Sequence, residues 1–252
     1  ATDWYEAHMS VEQDSCAADD LSGPRVKSRP VHRGLVFTIV ALALLMMSID
    51  TTIVATALHA LRTGLHTSIG WAGWTITAYS LGFVVSLPVS GRLSELYGCR
   101  KVFLGSIIAF TIASLCCGMV DNIYLLIAMR ALQAAGGAGF TPAATKIIVD
   151  NFGSARDRAV GLFGSIFSIG AMIGPVFGGL FVTYGSWRGI FLVNVPIGLT
   201  VAALAWRYVP ADRPRPEGIR QRLDATGIAL LGCGLLFGML AISYLGEAAT
   251  HV

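Results

Sequence analysis

Charged side chains are scarce. Aspartate, glutamate, lysine and arginine make up 13% of the 252 residues, about half the roughly 25% of a typical globular domain. So little charge cannot coat a surface that faces water on every side, which excludes an ordinary soluble domain. Lysine plus arginine exceed aspartate plus glutamate by only 18 to 15, too small a surplus for a nucleic-acid surface. The five cysteines (Cys16, Cys99, Cys116, Cys117 and Cys233) include no C-x-x-C pair, and such sparse cysteine excludes a disulfide scaffold. Phosphate-loop, His-Glu-x-x-His and Gly-x-Ser-x-Gly patterns are missing. No enzyme, metal or cofactor reading has residues to stand on.

What is present is apolar. Hydrophobic types reach 54% and the mean hydropathy is +0.67. A membrane-spanning helix needs about 20 mainly apolar residues. Charge-free runs occupy Thr63–Gly91, Val102–Val120, Ala159–Trp187, Gly189–Trp206 and Ala225–Gly246. Two further runs carry one internal charge each: Gly34–Leu61 around Asp50 and Ile123–Thr145 around Arg130. The expected architecture is all-α and integral to the bilayer, with seven spans. The domains expected are an acidic, disordered cytoplasmic tail over 1–33, a six-helix transmembrane unit over 34–208, a cytoplasmic linker over 209–223 and a seventh span over 224–252.

Basic residues set the orientation, because short cytoplasmic loops are enriched in lysine and arginine. Fifteen of them flank the first span or lie in the loops after the second, fourth and sixth, whereas Arg62 and Arg188 alone occupy the opposite loops. The N-terminus is therefore expected in the cytoplasm of a plasma (inner) membrane and Val252 outside. Trp71, Trp74, Tyr124, Tyr184, Trp187 and Tyr244 are expected near the outer interface as anchors. Tyr79, deeper in the second span, is instead a candidate substrate contact.

The two buried charges carry the chemistry. An ionised carboxylate at mid-membrane costs about 2.5–3.5 kcal/mol even on the lenient insertion scale, so Asp50 must face the bundle interior or a wet cavity. A carboxylate held there can load and release a proton. Arg130 cannot lose its charge and needs an anion, carbonyls or water. Removing the charge of Asp50 is accordingly expected to ease insertion while abolishing that proton exchange. In the fifth span, Gly170, Gly174 and Gly178 recur every four residues, with Pro175 and Gly179 between and after them. Such spacing admits a neighbouring helix, and the proline bends the chain.

At these residues the sequence resembles the major facilitator superfamily. Gly91-Arg-Leu-Ser-Glu95-Leu-Tyr-Gly98-Cys-Arg100-Lys101, between the second and third spans, is similar to its signature loop. Arg130-Ala-Leu-Gln133-Ala-Ala-Gly136 resembles its fourth-span motif, and Gly170 to Gly179 the fifth-span motif of its antiporters. Ile49 to Val54, Trp187 to Gly198 and Asp224 to Gly227 are similar to motifs of its fourteen-span drug:proton antiporter branch. Glu95 stands where that pattern has aspartate, Leu96 and Cys99 where it has basic residues, Ala55 for asparagine, His59 for proline and Ala134 for glycine.

The resemblance implies an N-terminal half of two three-helix inverted repeats with Asp50 as the proton-coupling residue. It implies Arg130 and Gln133 as cavity or relay residues, a gating role for the loop motif, and the bilayer, protons and a small-molecule substrate as partners. A C-terminal half, on another chain or a missing segment, would complete the site. With that half absent, Asp50 and Arg130 are expected on a wall open to lipid or to a partner, and the chain alone is expected to be a monomer or weak dimer without vectorial transport. A facilitator-type carrier and a non-transporting relic or assembly partner are the alternatives.

Overall fold

The structure, a computed structural model, describes residues 33–152, 156–210 and 212, with seven further helical positions between 227 and 241. The expected tail over 1–33, apart from Arg33, lies outside the described residues, and so do most of the linker and the seventh span. Among the described residues six helices are long and apolar enough to cross a membrane, and no strand occurs.

The first span is α1 (Arg33–Thr56) continued by the short α2 (Leu58–Gly64). The second is α3 (Ile69–Tyr97), started by Ser68, whose hydroxyl accepts from the Trp71 amide. Such a cap satisfies one of the donors that a helix start leaves unpaired. The third is α4 (Cys99–Met119). The fourth runs through α5 (Ile123–Gly137) and α6 (Phe140–Phe152), the fifth is α7 (Arg156–Tyr184), and the sixth is α8 (Gly189–Leu192) with α9 (Asn194–Tyr208).

The second span differs from its expected limits at both ends. It starts at Ile69 rather than Thr63 and continues beyond Gly91 to Tyr97. The signature segment is therefore mostly helical, and the link to α4 is one glycine. Gly98 makes that link because it adopts φ +96° and ψ 149°, a region essentially closed to residues with a Cβ.

Packing repeats itself. The first span lies against the fifth as the fourth lies against the second, through α1–α7 and α5–α3. The fourth lies against the third as the first lies against the sixth, and α4 packs on α9. These pairings exchange under a rule that maps spans one, two and three onto four, five and six, the pattern of two structural repeats.

Glycines permit the close pairs. In α7 a Cβ on Gly170, Gly174 or Gly178 would overlap the side chains of Ser48, Thr52 and Thr56 in turn, three small residues at matching spacing on α1. The Ser48 hydroxyl donates to the Phe167 carbonyl of α7 at 2.6 Å. Gly179 differs from its neighbours, since a Cβ there meets nothing within 4 Å. In the symmetry-related pair, Gly82 of α3 lies on the backbone of Ala131 in α5.

Outward-facing residues are apolar: Ile112, Leu132, Met172, Val176 and Leu199 are all exposed. Trp71 and Tyr124 meet edge-to-face at 4.9 Å. Trp187 is buried, not an anchor; Gly64 packs on its indole. Beside it, Arg188 pairs with Asp121 across the same end of the bundle.

A buried ion pair and its neighbours

Asp50 lies near the end of α1 and is fully buried. Both carboxylate oxygens are occupied. Arg130 Nη1 donates to Oδ2 at 2.8 Å, while Gln133 Nε2 and Asn194 Nδ2 donate to Oδ1 at 3.0 and 2.8 Å. Arg130 and Gln133 stand three residues apart on α5, so one helix face presents both. Arg130 also donates to Gln133 Oε1 at 2.6 Å, which leaves the amide nitrogen of Gln133 to turn toward Asp50.

Asn194 is placed by a break. The sixth span is interrupted at Val193, and Asn194 opens α9. Pro196 is tolerated in that first turn because its missing N–H has no helical partner there. The Ser114 hydroxyl of α4 ties the parts together: it accepts from Gln133 Nε2 at 3.0 Å and Asn194 Nδ2 at 3.2 Å, and donates to the Phe191 carbonyl at 3.0 Å. Cys117 donates weakly to Gln133 Oε1 at 3.8 Å.

The guanidinium of Arg130 is 1% exposed. Its carbon sits 4.1 Å from the ring centre of Tyr79 and 5.6 Å from that of Phe191, close enough for cation–π attraction. Arg130 Nε and the Tyr79 hydroxyl have no hydrogen-bond partner among the described residues.

Two expectations change here. Asp50 and Arg130 do not lie on a wall open to lipid; helices of the same six-span unit enclose both. Neutralising Asp50 is also not a simple relief, because Arg130 would then be stranded. Breaking a buried pair by removing one partner costs about 3–5 kcal/mol. Asn194 falls inside the Trp187–Gly198 motif, which assigns it no role, and Ser114 falls in none. An asparagine two residues before a proline, opening an apolar helix, was the available signal for the first.

Beside this cluster lies a cleft of about 270 Å³ lined by Met47 and Thr51 of α1, Tyr79, Ser80, Phe83 and Val84 of α3, and Phe167 of α7. Tyr79 alone of the cleft residues also touches the ion pair through its ring.

The signature residues gather elsewhere. Glu95 lies 16 residues from Tyr79 along α3, about 24 Å at 1.5 Å per residue. Glu95 pairs with Arg92 at 2.7 Å on an exposed surface. At the start of α4, the Arg100 amide donates to Asp212 Oδ1 at 3.0 Å, and its guanidinium donates to the Trp206 carbonyl at the end of α9. A Cβ on Gly98 would overlap the Asp212 carboxylate, whereas one on Gly91 would meet nothing. Lys101 is exposed.

A family model described as Major Facilitator Superfamily matches residues 40–249. The chain belongs to the major facilitator superfamily. A cephamycin export protein of Amycolatopsis lactamdurans is 38% identical over 210 residues, covering 81% of this chain and 43% of that protein. A multidrug resistance protein B homolog of Mycobacterium tuberculosis is 34% identical over 224 residues, covering 86% and 41%. The chain thus spans less than half the length of these relatives. Among solved structures, the proton:xylose symporter superposes with a TM-score of 0.64 at 13% identity, over 87% of this chain and 52% of that one. A bacterial homolog of the human lysosomal transporter Spinster gives 0.61 at 21%, over 77% and 48%. This superfamily member is a multi-pass membrane protein.

Proposed function

We propose that the chain forms the N-terminal half of a proton-coupled exporter of amphipathic drugs or metabolites, with Asp50 exchanging the proton. A C-terminal half, in the same polypeptide or another, completes the transport path. In this reading the N-terminus lies in the cytoplasm of a plasma membrane, an orientation that the basic loops support.

The observation that carries this reading is the Asp50–Arg130 pair, 2.8 Å apart and closed off from the surface in the first helix of each repeat. Protonation of Asp50 removes the countercharge of Arg130, yet Gln133 Oε1 still accepts from the same nitrogen. The arginine therefore keeps a partner in either state of the carboxylate. That bond does not replace the lost countercharge, so protonation disfavours the closed arrangement and biases the unit toward another, as a proton-driven rocking motion requires. The cephamycin export relative supports the direction of transport, and the multidrug resistance relative the breadth of substrate.

A second reading follows from the extent of the network: three donors on one carboxylate, two of them also bound to Ser114, make a structural clasp for four helices. Uphill export separates the two. In vesicles holding this chain with its C-terminal half, Asp50→Asn/Arg130→Gln keeps a neutral hydrogen-bonded clasp but has no proton to exchange. Loss of proton-driven accumulation with retained downhill flux supports the exporter reading; retained accumulation supports the clasp.

A further inference from the structure

A carboxylate that exchanges protons must meet water, but Asp50 is 0% exposed and Arg130 1%. Neither lines the cleft between α1, α3 and α7. Two cleft residues adjoin the pair. Thr51, next to Asp50 in the chain, is tied by its hydroxyl to the Ser48 carbonyl at 2.8 Å. Tyr79 covers Arg130 with its ring, and its hydroxyl has no partner among the described residues. A buried hydroxyl without a partner is unfavourable. Swinging the ring into the cleft therefore breaks no hydrogen bond and can gain one.

Space for the swing exists. The cleft holds about 270 Å³, more than the roughly 150 Å³ that accommodates benzene in an engineered cavity. Its lining is mainly Met47, Phe83, Val84 and Phe167, with hydroxyls from Thr51 and Ser80 and no charged side chain. Such a space suits the uncharged ring or aliphatic part of an amphipathic molecule. It offers a permanent cation little, because Arg130 already occupies one face of Tyr79 and neutralises Asp50.

Resting on the exporter reading, we propose that Tyr79 is a positioning residue that makes cleft occupancy and proton access to Asp50 mutually exclusive. With the cleft empty, the ring is free to swing aside from the closed position seen here and admit water to the pair. With an apolar group in the cleft, the ring is held over Arg130 and Asp50 stays sealed. Substrate and proton then exclude each other without competing for the same atoms. The titratable or charged groups around Asp50 among the described residues are Arg130 from α5, Tyr79 from α3 and Cys117 from α4; α9 contributes the neutral Asn194.

Labelling by dicyclohexylcarbodiimide, which reacts with protonated carboxyls, tests this in membranes containing the full chain. The rate at Asp50 is followed by peptide mass mapping at fixed pH. Tyr79→Ala should label at least about tenfold faster than the unaltered chain, and Tyr79→Phe, which keeps the ring but lacks the hydroxyl that gains a bond on opening, no faster than the unaltered chain. Val84→Phe fills the cleft behind an intact Tyr79 and should slow labelling about threefold or more, which keeps the test valid if Tyr79→Ala folds poorly. An unaltered rate in Tyr79→Ala or in Val84→Phe would overturn the proposal. So would a Tyr79→Phe rate matching that of Tyr79→Ala, which would place the role in the hydroxyl instead of the ring. The exporter reading fails separately, through uphill export by the Asp50→Asn/Arg130→Gln variant.

Discussion

Asparagine in place of Asp50 has nearly the shape of the carboxylate but one acceptor oxygen instead of two. If that oxygen keeps the bonds from Gln133 and Asn194, its amide nitrogen faces Arg130 Nη1, donor against donor. If it keeps Arg130, the nitrogen faces the other two donors. Either way a guanidinium that is 1% exposed loses its countercharge, and the cost is about 3–5 kcal/mol. Restoring neutrality with Arg130→Gln removes the stranded cation and should recover most of that loss. For a unit of this size 1 kcal/mol moves the melting temperature by about 2–4 °C. The Asp50→Asn chain should therefore melt on the order of 10 °C below the unaltered one in detergent, with the double variant well above the single one. Thermal unfolding followed by circular dichroism reads both. A single variant within about 2 °C of the unaltered chain would refute the claim that the pair is closed off and mutually dependent.

Gly174→Leu should destabilise the chain by about 1–3 kcal/mol or more, since overpacking strains both helices and any Cβ there overlaps Thr52. Gly179→Leu, where a Cβ meets nothing within 4 Å, should melt within about 2 °C of the unaltered chain; equal losses in the two would contradict the α1–α7 register. Gly98→Ala should cost about 1–3 kcal/mol from its backbone conformation alone, whereas Gly91→Ala should be neutral, as melting temperatures can show. Asn194→Ala removes a donor shared by Asp50 and Ser114 and should cost about 1–3 kcal/mol, with no change in helix content by circular dichroism.

The spans were legible because apolar run length is what the bilayer selects. Their ends were less so. A hydropathy run does not distinguish Ser68, a cap, from the apolar helix beside it, and it stops at Arg92 although the helix continues to Tyr97. The chemical types at the site were also legible: charge in an apolar run marks Asp50 and Arg130 at once. Their partnership was not, since 80 residues separate them. Nor could the sequence say whether they face the packed interior of the six-span unit or its open wall, because helices apolar on all sides carry little record of inside and outside. The glycine ladder sits between these cases. Its spacing announced a close contact, but that Gly170, Gly174 and Gly178 meet Ser48, Thr52 and Thr56 while Gly179 does not required the fold.

The central claim is that Asp50 couples substrate movement to the proton gradient. Its most direct test is substrate accumulation in inverted membrane vesicles that carry this chain with its C-terminal half, energised by an imposed pH gradient. The account predicts accumulation above equilibrium by the unaltered protein, and downhill equilibration without accumulation by Asp50→Asn/Arg130→Gln. Gradient-driven accumulation by that double variant would contradict it.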